Sequence, residues 1–241
     1  MARLDEPSSG EAAQTAAEPH TAPRTAALDE ALQLLKDRLL GMGGRCERML
    51  AGASEALVSR EPERTAQVFH DERRNNRDEL EIDALALQLL AVHQPLGRDL
   101  RFIMMAVKVV ADLERIGDEA VNLAERTQEL GDEPVSPAIL GDLEEMVQRA
   151  AAMLRDALEA FVHEDAQRAR GVFEQDDAVD ALYGAVQRAC RERIREDVSR
   201  VEVASRLASC SKYVERIADH ATSIGEMVVF LAEGVDIRHQ G

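Results

Sequence analysis

From Leu28 onward, apolar residues recur at intervals of three and four along almost the whole chain. This spacing places them on one face of an α-helix, because a helix completes a turn every ~3.6 residues. Aromatic residues make up only 3% of the chain and tryptophan is missing, so little is available for building strands. The sequence therefore predicts an all-α protein made of long amphipathic helices packed together.

Prolines and glycines divide this periodic region into six long helices. Pro62 can open the second helix, Pro95 and Gly97 interrupt the chain before the third, and Gly234 follows the sixth. The predicted helices span residues 28–59, 62–92, 97–130, 137–163, 166–197 and 200–234.

Three glycines, Gly41, Gly43 and Gly44, lie in the middle of the first helix. Glycine weakens a helix interior by roughly 1 kcal/mol relative to alanine. We interpret them as positions where another helix approaches closely.

The helical region contains an internal repeat. Residues 112–120 read D-L-E-R-I-G-D-E-A, and residues 213–221 read Y-V-E-R-I-A-D-H-A, with the shared letters 101 positions apart. Val68-Phe69 corresponds to Val172-Phe173 at a separation of 104, so the copies differ slightly in length. The prediction is a tandem repeat of two three-helix bundles, with six long helices in total. The first repeat covers residues 28–132 and the second covers residues 133–236.

Residues 1–27 are rich in Ala, Pro, Ser, Thr and Glu and follow neither a helical nor a strand period. Such a composition buries too little apolar surface to offset the entropy of ordering. We predict a disordered N-terminal tail.

The charge and cysteine content narrow the classes of function. A net charge of -17 disfavours direct binding to nucleic acid or to anionic membrane surfaces and favours cations or basic protein surfaces. The three cysteines form no C-x-x-C pair and are interpreted as small helix-packing residues in a reducing cytoplasm. Neither a signal peptide nor a transmembrane span is predicted, and no phosphate-binding glycine motif is present.

Two pairs of carboxylates repeat with the helices. Glu114 and Asp118 are four residues apart on the third helix, and Glu215 and Asp219 repeat the pair on the sixth. A spacing of four puts both side chains on one helix face, where two like charges repel each other. A cation bound between the carboxylates would relieve this repulsion. A metal site is therefore the more specific of the hypotheses for these residues.

The second and fifth helices carry residues that could face these pairs. The fifth has Asp176 and Asp180, and the second has Glu72 and Asn76 at the corresponding positions. Oxygen-only groups suit hard cations such as magnesium, calcium, manganese or oxidised iron, whereas zinc is less favoured by ligand type. The other interpretation is an acidic groove that receives a basic protein surface.

Several motifs together resemble the PhoU family of phosphate-signalling regulators. The resemblance covers about residues 28–239. Its motifs are Met42-Gly-Gly44, Gln94-Pro95 with Asp99-Leu100-Arg101, Leu113-Glu-Arg-Ile-Gly-Asp118 with Asn122-Leu-Ala-Glu125, Glu215-Arg-Ile-Ala-Asp219 and Asp236-Ile-Arg-His239.

The resemblance implies a tandem of three-helix bundles that acts as a negative regulator and not as an enzyme. It implies a homodimer that couples the phosphate ABC transporter ATPase to a sensor histidine kinase. It also implies multinuclear metal clusters, often of iron or zinc, on E(D)-x-x-x-D motifs. The ligands carried over by position are Glu72, Glu114 and Asp118 in the first repeat and Asp176, Asp180, Glu215 and Asp219 in the second. Asn76 departs from the acidic pattern and predicts a less complete first cluster.

Two other classes of protein are alternatives to this interpretation. A ferritin-like di-iron carboxylate enzyme needs Glu-x-x-His on two helices, and the chain contains no such pair. A helical scaffold that binds proteins through its acidic faces and never takes a metal is the remaining alternative.

Overall fold

Six long α-helices form the part of the protein that the computed structural model describes, residues 25–131 and 133–234. They are α1 (Ala26–Ser59), α2 (Pro62–His93), α3 (Gly97–Leu130), α4 (Pro137–His163), α5 (Ala166–Glu196) and α6 (Val201–Glu233). A short 3-10 turn, Val198–Arg200, precedes α6. No strand occurs within these residues, and the predicted all-α class of six helices is confirmed.

The first helix begins at Ala26, two residues before the predicted start at Leu28. Thr25 is the N-cap, and its hydroxyl accepts a hydrogen bond from the Leu28 N–H at 3.3 Å. Such a cap satisfies one of the otherwise unpaired N–H groups at a helix start. The rest of the predicted tail, residues 1–24, and the closing motif Asp236–His239 lie outside the described residues.

Each group of three helices packs together, and the two groups also contact each other. Within the groups, α1, α2 and α3 touch one another, as do α4, α5 and α6. Between the groups, α1 contacts α4 and α3 contacts α6. The buried side chains of all six helices form one hydrophobic cluster. Consequently α1, α3, α6 and α4 enclose the centre, while α2 and α5 lie on the outside.

Two polar side-chain contacts link α3 to α6 across the boundary between the repeats. His220 Nδ1 lies 2.9 Å from Asp112 Oδ1, and Arg216 Nη1 lies 2.9 Å from Glu119 Oε1. Glu119 is only 3% exposed. Because the partner number falls as the position along α3 rises, the two helices run antiparallel.

Of the three glycines in the middle of α1, Gly41, Gly43 and Gly44, only Gly43 shows the close approach that was expected of all of them. A Cβ added at Gly43 would lie 2.0 Å from Leu158 Cδ1 on α4. A Cβ at Gly41 would meet nothing within 4 Å, and at Gly44 it would meet only Arg48 from its own helix at 3.8 Å. The expectation holds at Gly43 and is wrong at Gly41 and Gly44.

All three cysteines are free and buried in the helix interfaces. Burial raises the pKa of Cys46 to about 12, that of Cys190 to about 11 and that of Cys210 to about 12. Thiols with such pKa values are unreactive at neutral pH. Among the described helices, none is long and apolar enough to span a membrane.

Candidate metal-binding grooves

Four predicted residues come together in the groove between α5 and α6. Asp176 and Asp180 lie on α5, and Glu215 and Asp219 lie on α6. Burial, together with the negative charges of Asp180 and Asp219, raises the pKa of Asp176 to about 6. Carboxyl groups influence each other in this way when they are close and partly shielded from water. The α5–α6 groove is thus a concentrated site of negative charge.

The two acidic residues of α6 show the same effect. Burial raises the pKa of Glu215, with added contributions from Asp219, Asp180 and Asp176. The pKa of Asp219 is raised by burial and by Asp180, while His220 and Arg216 lower it. All four predicted residues of the second repeat therefore interact electrostatically.

A hydroxyl group adds a further oxygen to this groove. Thr222 lies beside Asp176 and partly offsets the rise in the pKa of that carboxyl. Thr222 Oγ1 is buried and has no hydrogen-bond partner. The two side chains are therefore close to each other without forming a hydrogen bond. An oxygen left unpaired inside a protein is unfavourable unless a donor or a cation reaches it.

The corresponding groove between α2 and α3 has a different arrangement. Burial raises the pKa of Glu114, and the negative charges of Asp118 and Glu79 contribute to the rise. Asn76 Nδ2 donates a hydrogen bond to Glu72 Oε1 at 2.6 Å, and Asn76 Oδ1 is buried without a partner. Glu114 interacts with Asp118 on α3, and Glu72 interacts with Asn76 on α2, while the α2 residue whose charge reaches Glu114 is Glu79.

Glu79 is a residue that the sequence analysis missed. It follows Asn76 by three residues on α2, so the same periodic spacing that selected Glu72 and Asn76 could have identified it. Its counterpart 104 residues later is Tyr183, which is why the repeat gave no indication of an acidic position.

The two repeated arginines take different roles. Arg115 approaches both carboxylates of its own motif, with 3.5 Å to Glu114 and 3.9 Å to Asp118. Its side chain is 62% exposed, so these contacts are weak. Arg216, by contrast, pairs with the buried Glu119 on α3. Arg216 nevertheless lowers the pKa of Asp219, so its charge also reaches the carboxylates of the second repeat.

The oxygen atoms in both grooves are of the types that bind hard cations. They are carboxylate, amide and hydroxyl oxygens, which magnesium, calcium, manganese and oxidised iron prefer. Within the described residues, however, no group of three histidine, cysteine, aspartate or glutamate side chains could hold a metal ion as it stands. A cation would require side-chain rotations that turn the carboxylates towards one another.

The fold and the repeated pairs on α3 and α6 define an all-α tandem-bundle protein with acidic grooves. The PhoU domain family model matches residues 39–127 and 143–228. The chain belongs to the PhoU family, whose members are accessory regulatory proteins and not enzymes. Family membership sets aside the ferritin-like alternative.

Known relatives match most of the chain. One from Rhizobium meliloti is 32% identical, over 86% of this chain and 88% of the relative. Another from Pseudomonas putida is 35% identical, over 87% of this chain and 82% of the relative. Both are named phosphate-specific transport system accessory protein PhoU homolog.

Solved structures agree with the fold. PhoU from Pseudomonas aeruginosa superposes with a TM-score of 0.82 at 33% sequence identity. The match covers 86% of this chain and 100% of the Pseudomonas aeruginosa chain. The phosphate transport system regulatory protein PhoU from Streptococcus pneumoniae superposes with a TM-score of 0.80 at 25% identity, covering 87% and 99% of the two chains.

Proposed function

We propose that this protein is an accessory negative regulator of phosphate uptake that keeps phosphate-starvation genes silent while phosphate is plentiful. The observation that carries the proposal is family membership over most of the chain, with relatives named as accessory proteins of the phosphate-specific transport system. In this role the protein acts in the cytoplasm, where it couples the transporter ATPase to a sensor histidine kinase.

The surface charge supports a basic docking partner. The chain carries 46 acidic and 29 basic residues, so its field attracts positively charged protein faces and accelerates their encounter. The two tandem repeats, residues 28–132 and 133–236, give such partners two related surfaces. We expect the transporter ATPase and the kinase to present basic patches to them.

Metal binding in the acidic grooves is the second part of the proposal. A bound cation supplies positive charge that neutralises clustered carboxylates and links neighbouring helices. Asp176 and Asp180 would hold it from α5, and Glu215 and Asp219 from α6. In the first repeat, Glu114 and Asp118 from α3 would act with Glu72, Asn76 and the newly identified Glu79 from α2.

A deletion strain tests the regulatory role. Loss of the gene is expected to leave a phosphatase reporter active in phosphate-rich medium, and expression of the full chain in that strain should silence the reporter. An unchanged reporter in the deletion strain would remove phosphate signalling from the proposal. Elemental analysis of protein purified without chelator separates the metallated regulator from an acidic scaffold that binds no metal.

A further inference from the structure

An arginine occupies a core position near the end of α5. This helix buries Val172, Val179 and Val186 at intervals of seven residues, a spacing that returns to nearly the same helix face. The next residue at this interval is Arg193. The corresponding residue of α2, 104 positions earlier, is Leu89, which is 1% exposed. Arg193 therefore stands where the other repeat has a buried leucine.

A cavity opens at this end of the second repeat, and we call it the arginine cavity. Its volume is about 250 Å³, and it lies between the start of α4, the last turns of α5 and the start of α6. Arg193 and Arg200 contribute its charged groups. Five apolar side chains also line it: Val135, Ile139, Val203, Ala204 and Leu207. The arginine cavity thus combines an apolar surface with two guanidinium groups.

The first repeat carries larger apolar side chains at the corresponding places. Val203 corresponds to Phe102 at the separation of 101 that relates α6 to α3. Phe102 is 3% exposed and stacks on Phe161, with 5.0 Å between the ring centroids. The second repeat therefore has a smaller valine in place of a buried phenylalanine and Arg193 in place of a buried leucine. Both differences remove apolar packing from this end of the bundle.

The two arginines of the cavity have weak partners of their own. Arg193 Nη1 lies 3.2 Å from Glu196 Oε2, and Arg200 Nε lies 3.8 Å from Asp197 Oδ2. The four side chains are 48–65% exposed, and ion pairs in contact with solvent contribute little. Asp197 Oδ1 also accepts hydrogen bonds from the N–H and the hydroxyl of Ser199. Both guanidinium groups are therefore available to an anion that enters the cavity.

The chemistry of the lining defines the class of ligand. Arginine presents parallel N–H groups that match two oxygens of a carboxylate or phosphate. Ser136 lines the cavity with a hydroxyl that makes no capping hydrogen bond to α4. A dry cavity of ~150 Å³ holds benzene, so one of about 250 Å³ accommodates roughly ten non-hydrogen atoms. Apolar walls favour a ligand that buries a hydrocarbon body against them.

We propose that the arginine cavity binds a small amphipathic anion, with its carboxylate or phosphate head group on Arg193 and Arg200 and its apolar body against Val203 and Leu207. The net charge of -17 repels anions at long range, so binding depends on contacts with both parts of the ligand. Inorganic phosphate lacks the apolar body and should bind poorly. This inference goes beyond the regulatory role and does not depend on it.

Four probes test the ligand class on the full chain. Octanoate carries a head group and an apolar body, octanol lacks the charge, and inorganic phosphate lacks the body. Isothermal titration calorimetry should show saturable binding of octanoate, and binding of octanol and inorganic phosphate at least about tenfold weaker. Hexyl phosphate compares the head groups, because tighter binding than octanoate indicates a phosphate ester and weaker binding indicates a carboxylate.

Substitutions on α5 and α6 locate the site. Arg193→Gln should lower the affinity for octanoate at least about tenfold, because it removes a charged partner of the head group. Arg191→Gln is the matched control: it makes the same change at an exposed position of α5 that does not line the cavity, and the affinity should stay the same. Val203→Phe introduces the residue of the first repeat, fills the cavity and should abolish binding. Far-UV circular dichroism checks that the three variants keep their helices.

Three outcomes would overturn the inference. Octanoate that does not bind at millimolar concentration would show that the cavity takes no such ligand. Equal binding by Arg193→Gln and Arg191→Gln would show adventitious association with another apolar surface. Octanol that binds as tightly as octanoate would show that the arginines only cover the end of the core with their apolar stems. None of these results affects the phosphate-signalling role, which depends on the reporter experiment.

Discussion

At the scale of single residues, Asp176 shows most clearly how its surroundings change the pKa of a carboxyl group. Its pKa is raised from 3.8 to about 6 by burial and by neighbouring negative charges. Between about pH 4 and pH 6, the native protein therefore keeps a proton that the unfolded chain has lost. The destabilising effect of the charged carboxylate is absent below about pH 4, grows as pH rises through 6 and is complete at neutral pH.

Asp176→Asn should stabilise the protein when no metal is bound. In buffer that contains a metal chelator at pH 7.5, we expect the free energy of unfolding to rise by about 1 kcal/mol. This value is smaller than the full pKa shift would give, because the Asp176 side chain is partly exposed to solvent. The gain should shrink at pH 5, where the native Asp176 is mostly protonated. Urea unfolding at both pH values measures it, with the exposed Glu174→Gln on the same helix as the control. An equal gain at the two pH values would contradict the assigned cause.

The two grooves should differ in how strongly they hold a cation. Asn76 can offer an amide oxygen but no negative charge, whereas Asp180 supplies a full charge at the corresponding place. Asp219→Asn should therefore lose more bound metal than Asp118→Asn in elemental analysis beside the parent. Equal losses would indicate that Glu79 supplies the charge that Asn76 lacks, and no metal in any of the three proteins would favour the unmetallated scaffold.

At the scale of the helices, Gly43 marks a point where α1 and α4 approach each other closely. Gly43 leaves room for Leu158, which is 2% exposed and packed in the core. Side chains in a dense core have little space into which they can move. The absence of a side chain at Gly43 thus sets how closely the two helices approach.

Substituting alanine at two positions of α1 should therefore give opposite results. Gly43→Ala should lower the free energy of unfolding by about 1–3 kcal/mol, because the new Cβ displaces Leu158. Gly41→Ala should raise it by about 0.5–1 kcal/mol, since its Cβ meets nothing and glycine is the weaker helix former. Denaturant unfolding of the two variants beside the parent distinguishes them, and a stabilising Gly43→Ala would show that Leu158 moves aside at little cost.

At the scale of the whole molecule, the net charge of -17 determines the electrostatic interactions with other proteins. Binding to a basic face of the transporter ATPase should weaken as salt is raised, because charges more than about 8 Å apart are largely screened at physiological ionic strength. Binding measured from low to high sodium chloride tests this expectation, and salt-independent binding to the ATPase would exclude electrostatic attraction as its cause.

The sequence by itself determined the helices, their repeat and the acidic pairs on each helix. Prolines at the helix starts and the cap at Gly234 mark the ends, and a spacing of four places Glu114 beside Asp118 in any α-helix. These features depend only on neighbours within one segment. They could be predicted because the geometry of a helix is the same wherever the helix lies.

Tertiary structure decided which residues face one another between helices. Only the packing of α2 on α3 places Glu79 near Glu114, and only the contact between the repeats pairs the buried Glu119 with Arg216. The same packing selects Gly43 over Gly41 as the point of close approach. The physical reason is that periodicity defines the faces of one helix, whereas the rotation and depth at which two helices meet are set by the core they share.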